Sequence, residues 1–178
     1  IKACNKEYLK INWDATKPDG QFRKDVTSKN GPLTVVSADI SEKYRLEKQI
    51  KLLEEKKYIS ICGTYAYKIS SKNQILSKIK TPVTNKQHKN KIYYQNTLIH
   101  STVMFKKKDI LTIGSYNENY SVSQDYELWS RAFNKFDVLT IPEFLVKLRI
   151  HNRSISNKKA KLQRKMSLLI GLQYKFPQ

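Results

Sequence analysis

Apolar and polar positions are unevenly arranged along this 178-residue chain. Its first thirty residues show no sustained period. Pro18-Asp19-Gly20 and Asn30-Gly31-Pro32 have turn chemistry, and nothing longer than a short element over KEYLKINW is expected there. From Leu33 the signal sharpens. LTVVSAD is a β-branched run ending on Asp39, which predicts a buried strand with a polar tip. Leu46, Ile50 and Leu53 then recur at helical spacing, with Ser41 placed to cap that helix. YISICGTYAYKI alternates like a strand, SSKNQILSK reads as a turn between two strands, and Thr84 starts a helix over TNKQHKNKIYYQN. STVMFKK is another β-rich run, followed by a short helix KDILTI that Gly114 closes. A helix from Gln124 to about Asn134 turns Leu128 and Trp129 inward, and DVLTIPEFLVKLRIH gives one or two short strands broken at Pro142. SNKKAKLQRKMSLLIGLQYKF closes the chain as a basic amphipathic helix. Strands and helices alternate, so the expected class is α/β. The expected sheet is built from residues 33–38, 59–67, 101–105 and about 139–149.

Composition narrows the setting. A hydrophobic share of 39% with 28% charged residues suits a folded globular domain, or one domain with an appendage, rather than a disordered chain. No apolar run approaches the roughly 20 residues of a membrane span, and IKACNKEYLK has no signal core, so a cytoplasmic protein is expected. Cys4 and Cys62 lack a metal-ligand spacing and read as free thiols of a reducing compartment, a disulfide between them being the alternative. Charge is the loudest feature. Lys+Arg 34 against Asp+Glu 15 gives +19, with no acidic residue between Glu55 and Asp109 and none after Glu143. Such an excess suits polyanions: nucleic acid, anionic lipid surfaces or phosphate-bearing substrates. Scattered lysines equally suit a solvated surface. The chain has no arginine-glycine repeats and no zinc-finger spacing, so no specific nucleic-acid partner is expected.

Three residues stand where ligands bind in open α/β sheets, at strand ends or a helix start: Asp39, Asp125 and His151. One Asp and one His can complete a divalent-metal shell together with water and substrate oxygens. Each also has a plainer reading. An aspartate after a strand serves as a helix cap, a lone histidine sits on the surface, and Asp125 at a helix start is favoured by the helix dipole.

The segments SADISEKYRLEKQIKLLEEKKYISICGTYAYKI, NTLIHSTVMFKKKDILTIGSYNENYSVSQDYELWSRA and IPEFLVKLRIHNRSISN, in this order, resemble family 2 glycosyltransferases of the bacterial capsule and lipopolysaccharide type. The resemblance runs from about Leu33 to about Asn157. It implies a GT-A-like mixed sheet flanked by helices, a nucleotide-sugar donor, a glycan or other hydroxyl acceptor, and Mg²⁺ or Mn²⁺. Asp39 holds the place of the last, metal-binding Asp in the family's acidic motif. Asp125 in QDYELW matches the catalytic base, which takes the acceptor hydroxyl proton during in-line, inverting attack on the anomeric carbon. By the same resemblance Glu127 and Trp129 support substrate binding, His100, Ser101 and Thr102 lie near the acceptor, and His151 touches the metal or diphosphate.

The chain also departs from that family. Nothing before Leu33 resembles the first nucleotide-binding units, and Val36, Ser37 and Ala38 stand where the family would have D-A-D ahead of Asp39. Instead WDATKPDGQFRKDVTSKN resembles the carboxyl-terminal segment of GDP-L-fucose synthases, without their Gly-rich cofactor loop or Tyr-x-x-x-Lys pair. The expected organisation is an appendage over 1–32, a glycosyltransferase-like domain over 33–157, and a basic helix over 158–178. Three functions follow. The chain is an incomplete or weak transferase working with a nucleotide-binding half on the same or another chain, a non-catalytic remnant serving as a structural or partner-binding module, or a basic module binding anionic membrane or nucleic acid. In the last case the closing helix, which otherwise packs on the domain, docks on an anionic membrane surface.

Overall fold

A computed structural model describes residues 12–13, 23–28, 31–36, 40–150 and 160–175. It has strands β1 (Asn12–Trp13), β2 (Arg23–Ser28), β3 (Gly31–Val36) and β4 (Ile40–Ser41), then helix α1 (Arg45–Glu55). Strands β5 (Ile59–Ile69) and β6 (Ile75–Ile79) precede helix α2 (Asn85–Lys91) and a 3₁₀ turn at His100–Thr102. Strand β7 (Met104–Lys106), helices α3 (Lys107–Thr112) and α4 (Gln124–Ala132), strand β8 (Asp137–Arg149) and helix α5 (Ala160–Lys175) complete the order. One eight-stranded sheet runs β1-β2-β3-β7-β5-β8-β4, with β6 also on β5. β5 and β8 are parallel and the other pairs antiparallel, which makes the expected α/β class a mixed sheet.

β5 is central, and its first six residues, Ile59 to Thr64, are buried on both faces. Ile61 enters one core with Phe105, Trp129, Phe133 and Ile170. Ile59 and Cys62 enter another with Leu33, Leu53 and Met104. Local chemistry sets several boundaries as expected. Thr84 and Gln87 form a reciprocal capping box at α2, and Gly114 at φ +85° follows α3.

Four expectations are corrected. β2 lies in a stretch expected to hold no strand of length; it pairs with β3 from Arg23↔Val36 to Ser28↔Gly31, so a strand partner overrides weak local propensity. α1 begins at Arg45, not at a Ser41 cap. Ser41 belongs to β4 and accepts a 2.8 Å hydrogen bond from Arg45 Nη1. The expected strand over 101–105 opens instead as a turn, because the Thr102 N–H and hydroxyl both donate to the Ile99 carbonyl at 2.8 Å. β8 is one 13-residue strand. Its register slips from Ile141↔Thr64 to Phe144↔Tyr65, so Pro142 and Glu143 form a bulge where a missing N–H breaks no ladder bond.

Candidate functional site

The opening turn of α4 carries the residue of most chemical interest. Ser123 precedes the helix at φ +59°, in the left-handed region, and swings the chain so that Asp125 lies in the first turn, half-buried. Asn96 Nδ2 donates to Asp125 Oδ2 at 2.8 Å. The Leu98 N–H donates to Asn96 Oδ1 at 3.2 Å, which commits the amide oxygen and leaves the NH₂ for the carboxylate. Among the described residues the Asp125 carboxylate has no other hydrogen-bond partner, so Oδ1 is available to a ligand. The helix N-terminus favours its negative charge.

Asn96 is placed by the sheet. Leu98 Cδ2 lies 2.8 Å from where a side chain on Gly63 would begin, and the Thr64 N–H donates to Thr102 Oγ1 at 3.2 Å. Residues 96–102 therefore lie against the middle of β5, at a glycine whose missing Cβ permits the approach. From the far side Gln49 of α1 spans the same region, donating to the carbonyls of Cys62 (3.1 Å) and Thr102 (2.8 Å).

The other residues singled out from the sequence are distributed as follows. Glu127 is fully buried; Arg131 grips it through Nε (2.6 Å) and Nη2 (2.8 Å), and the Tyr174 hydroxyl donates to it at 2.7 Å. Arg131 also reaches the carbonyls of Ile113 and Ser115, so this carboxylate ties α4, the chain after α3 and α5 together. Burial and the Glu127 contact raise the Tyr174 phenol above its ordinary range. Trp129 is fully buried, its ring 6.0 Å from both Phe105 and His100. His100 is half-buried between Trp129 and Tyr116, Ser101 is half-buried, and Thr102 is buried. Asp39 and His151 lie outside the described residues. Ile40, next to Asp39, pairs with Lys147, four positions before His151. Among the described residues no group of three His, Cys, Asp or Glu side chains is placed to hold a metal ion.

Several polar residues at or beside this region were not singled out from the sequence. Asn96 sits 29 residues from Asp125, with no periodicity linking them. Arg131 stands four positions after Glu127 on one helix, a spacing that does signal an ion pair. His88 is buried, its Nδ1 2.9 Å from Thr97 Oγ1 and its Nε2 3.0 Å from Thr140 Oγ1. Burial pushes its pKa down to about 4, so the ring is neutral near pH 7.

No family model matches the chain. It is 36% identical over 119 residues to the uncharacterized glycosyltransferase MJ1057 of Methanocaldococcus jannaschii, a match covering 65% of this chain and 40% of that protein. It is 25% identical over 122 residues to the amylovoran biosynthesis glycosyltransferase AmsE of Erwinia amylovora, covering 68% and 45%. The chain thus spans less than half the length of these curated relatives. Over about two thirds of its own length it is similar to proteins named glycosyltransferases.

Proposed function

We propose that this chain is the acceptor-side part of an inverting, family 2-like glycosyltransferase of GT-A type. Asp125, held by Asn96 at the start of α4 with Oδ1 available, is the observation that carries the reading. In this role Oδ1 takes the proton of an acceptor hydroxyl as that oxygen bonds to the anomeric carbon of a nucleotide sugar. The bond from that carbon to the diphosphate breaks, and the nucleoside diphosphate leaves with the electron pair. Asn96 keeps the carboxylate pointed and His100 to Thr102 flank the acceptor. A Mg²⁺ or Mn²⁺ ion, held by Asp39 and His151, would supply charge neutralisation of the diphosphate. The similarity to two named glycosyltransferases supports this reading.

The test exploits the acceptor side alone. Saturation-transfer NMR against a panel of free mono- and oligosaccharides is expected to show weak binding that Asp125→Asn removes. Calorimetry with nucleoside diphosphates and Mn²⁺ then reads the metal site. Absence of both saccharide and metal-dependent diphosphate binding would leave the non-catalytic, partner-binding remnant as the better account. That second reading is favoured by Val36 and Ala38 standing where the resembling family has carboxylates.

A further inference from the structure

Helix α5 has two unlike faces. The inner one is fixed to the domain: Ile170 is fully buried, Gly171 lies against the Tyr93 carbonyl, and Tyr174 bonds to Glu127. The outer one carries Leu168, Leu169 and Leu172, which are 70%, 48% and 58% exposed. Lys161, Arg164 and Lys165 are exposed among them, and the helix has no acidic residue. Leucines of this exposure on a docked helix are not explained by the packing of the described residues. Among those residues no helix is long and apolar enough to cross a membrane.

We propose that the outer face of α5 docks in the plane of an anionic lipid surface. The residue mixture selects this occupant. Leucines and cations share one face, so apolar side chains can enter the acyl boundary while ammonium and guanidinium groups meet lipid phosphates at the same depth. Long basic side chains reach outward along such a helix without lifting it. A second copy of the chain would oppose Lys161, Arg164 and Lys165 with the same charges, on a protein already at +19. Because Tyr174 and Gly171 hold the inner face, the helix presents its leucines without first having to fold.

The test is co-sedimentation of the 178-residue chain with vesicles of phosphatidylcholine alone and of phosphatidylcholine with an equal part of phosphatidylglycerol. Binding is expected only to the anionic vesicles. It should weaken about tenfold or more in L168S/L169S/L172S and likewise in K161E/R164E/K165E. All of these positions are exposed, and circular dichroism verifies that each variant is folded. Three outcomes overturn the proposal. Wild type fails to bind, the leucine variant binds as wild type does so that charge alone acts, or sedimentation equilibrium shows a wild-type dimer that the leucine variant abolishes.

Discussion

His88 should make this protein lose stability in mild acid, in an amount its surroundings set. The ring is fully buried, bracketed by Thr97 and Thr140, and meets Phe133 edge-on at 5.7 Å. Burial lowers its pKa from 6.5 to about 4. Above pH 6.5 the imidazole is neutral in both folded and unfolded chains, and titration contributes nothing. Below 6.5 the unfolded chain takes up a proton that folded His88 refuses, so stability falls with pH until the folded ring titrates near pH 4. The gap, 6.5 − 4 = 2.5, at about 1.36 kcal/mol per pH unit, comes to roughly 3 kcal/mol. About 2 kcal/mol of it is already lost at pH 5. That is a large share of the roughly 5–15 kcal/mol that holds an ordinary domain together. Urea unfolding of wild type and His88→Gln across pH 7 to pH 4 isolates the effect, since the carboxylates titrate in both proteins. Wild type should lose about 3 kcal/mol more than the variant over that range. Parallel stability curves, or a folded His88 ring that titrates near 6.5 by NMR, would refute the reasoning.

Further outcomes follow from the same structure. In Gly171→Ala the new Cβ would stand 2.4 Å from the Tyr93 carbonyl oxygen, so α5 must lift; a loss of about 1–3 kcal/mol is expected in denaturant unfolding, and an unchanged midpoint would contradict the packing. Cys62 is free and fully buried, and burial pushes its thiol up to about 12. In a Cys4→Ser background it should resist an aromatic disulfide reagent until the protein unfolds, whereas rapid native labelling would refute this. The 178-residue chain should give little sugar transfer or donor hydrolysis with common nucleotide sugars, and Asp125→Asn should not change the residue of turnover, because transfer needs donor and acceptor aligned together. Robust Mn²⁺-dependent turnover abolished by Asp125→Asn would instead mark a self-sufficient enzyme.

What could be read from the sequence was what short-range chemistry decides. The Thr84 cap, the Gly114 stop and the extent of α4 rest on residues a few positions apart, and all three stand in the structure. Elements defined by distant partners escaped. β2 is a strand because β3 lies beside it, and the inward face of α1 includes Arg45 and Gln49, which a search for apolar periodicity passes over. Gln49 belongs inside because carbonyls of Cys62 and Thr102 await its amide, a fact no local pattern contains. The site divides the same way. Asp125 was marked by its motif, while Asn96, which orients it, comes from a loop laid over Gly63. Glu127 was marked as well, and its pairing with Arg131 four positions on is a local signal, but the Tyr174 hydroxyl that completes the buried cluster comes from α5, 47 residues away.

The pairing of β2 with β3 has a practical consequence for anyone trimming this protein. β3 is flanked by β7 on one side and by Arg23–Ser28 on the other. A chain begun at residue 33 would strip the second neighbour and leave the Leu-Thr-Val-Val run with a raw edge of unpaired N–H and C=O groups. β-branched edges of that kind recruit strands from neighbouring molecules. Such a truncated domain should aggregate rather than merely lose an ornament, and the residues before Leu33, whatever their ancestry, act as a guard strand for the sheet.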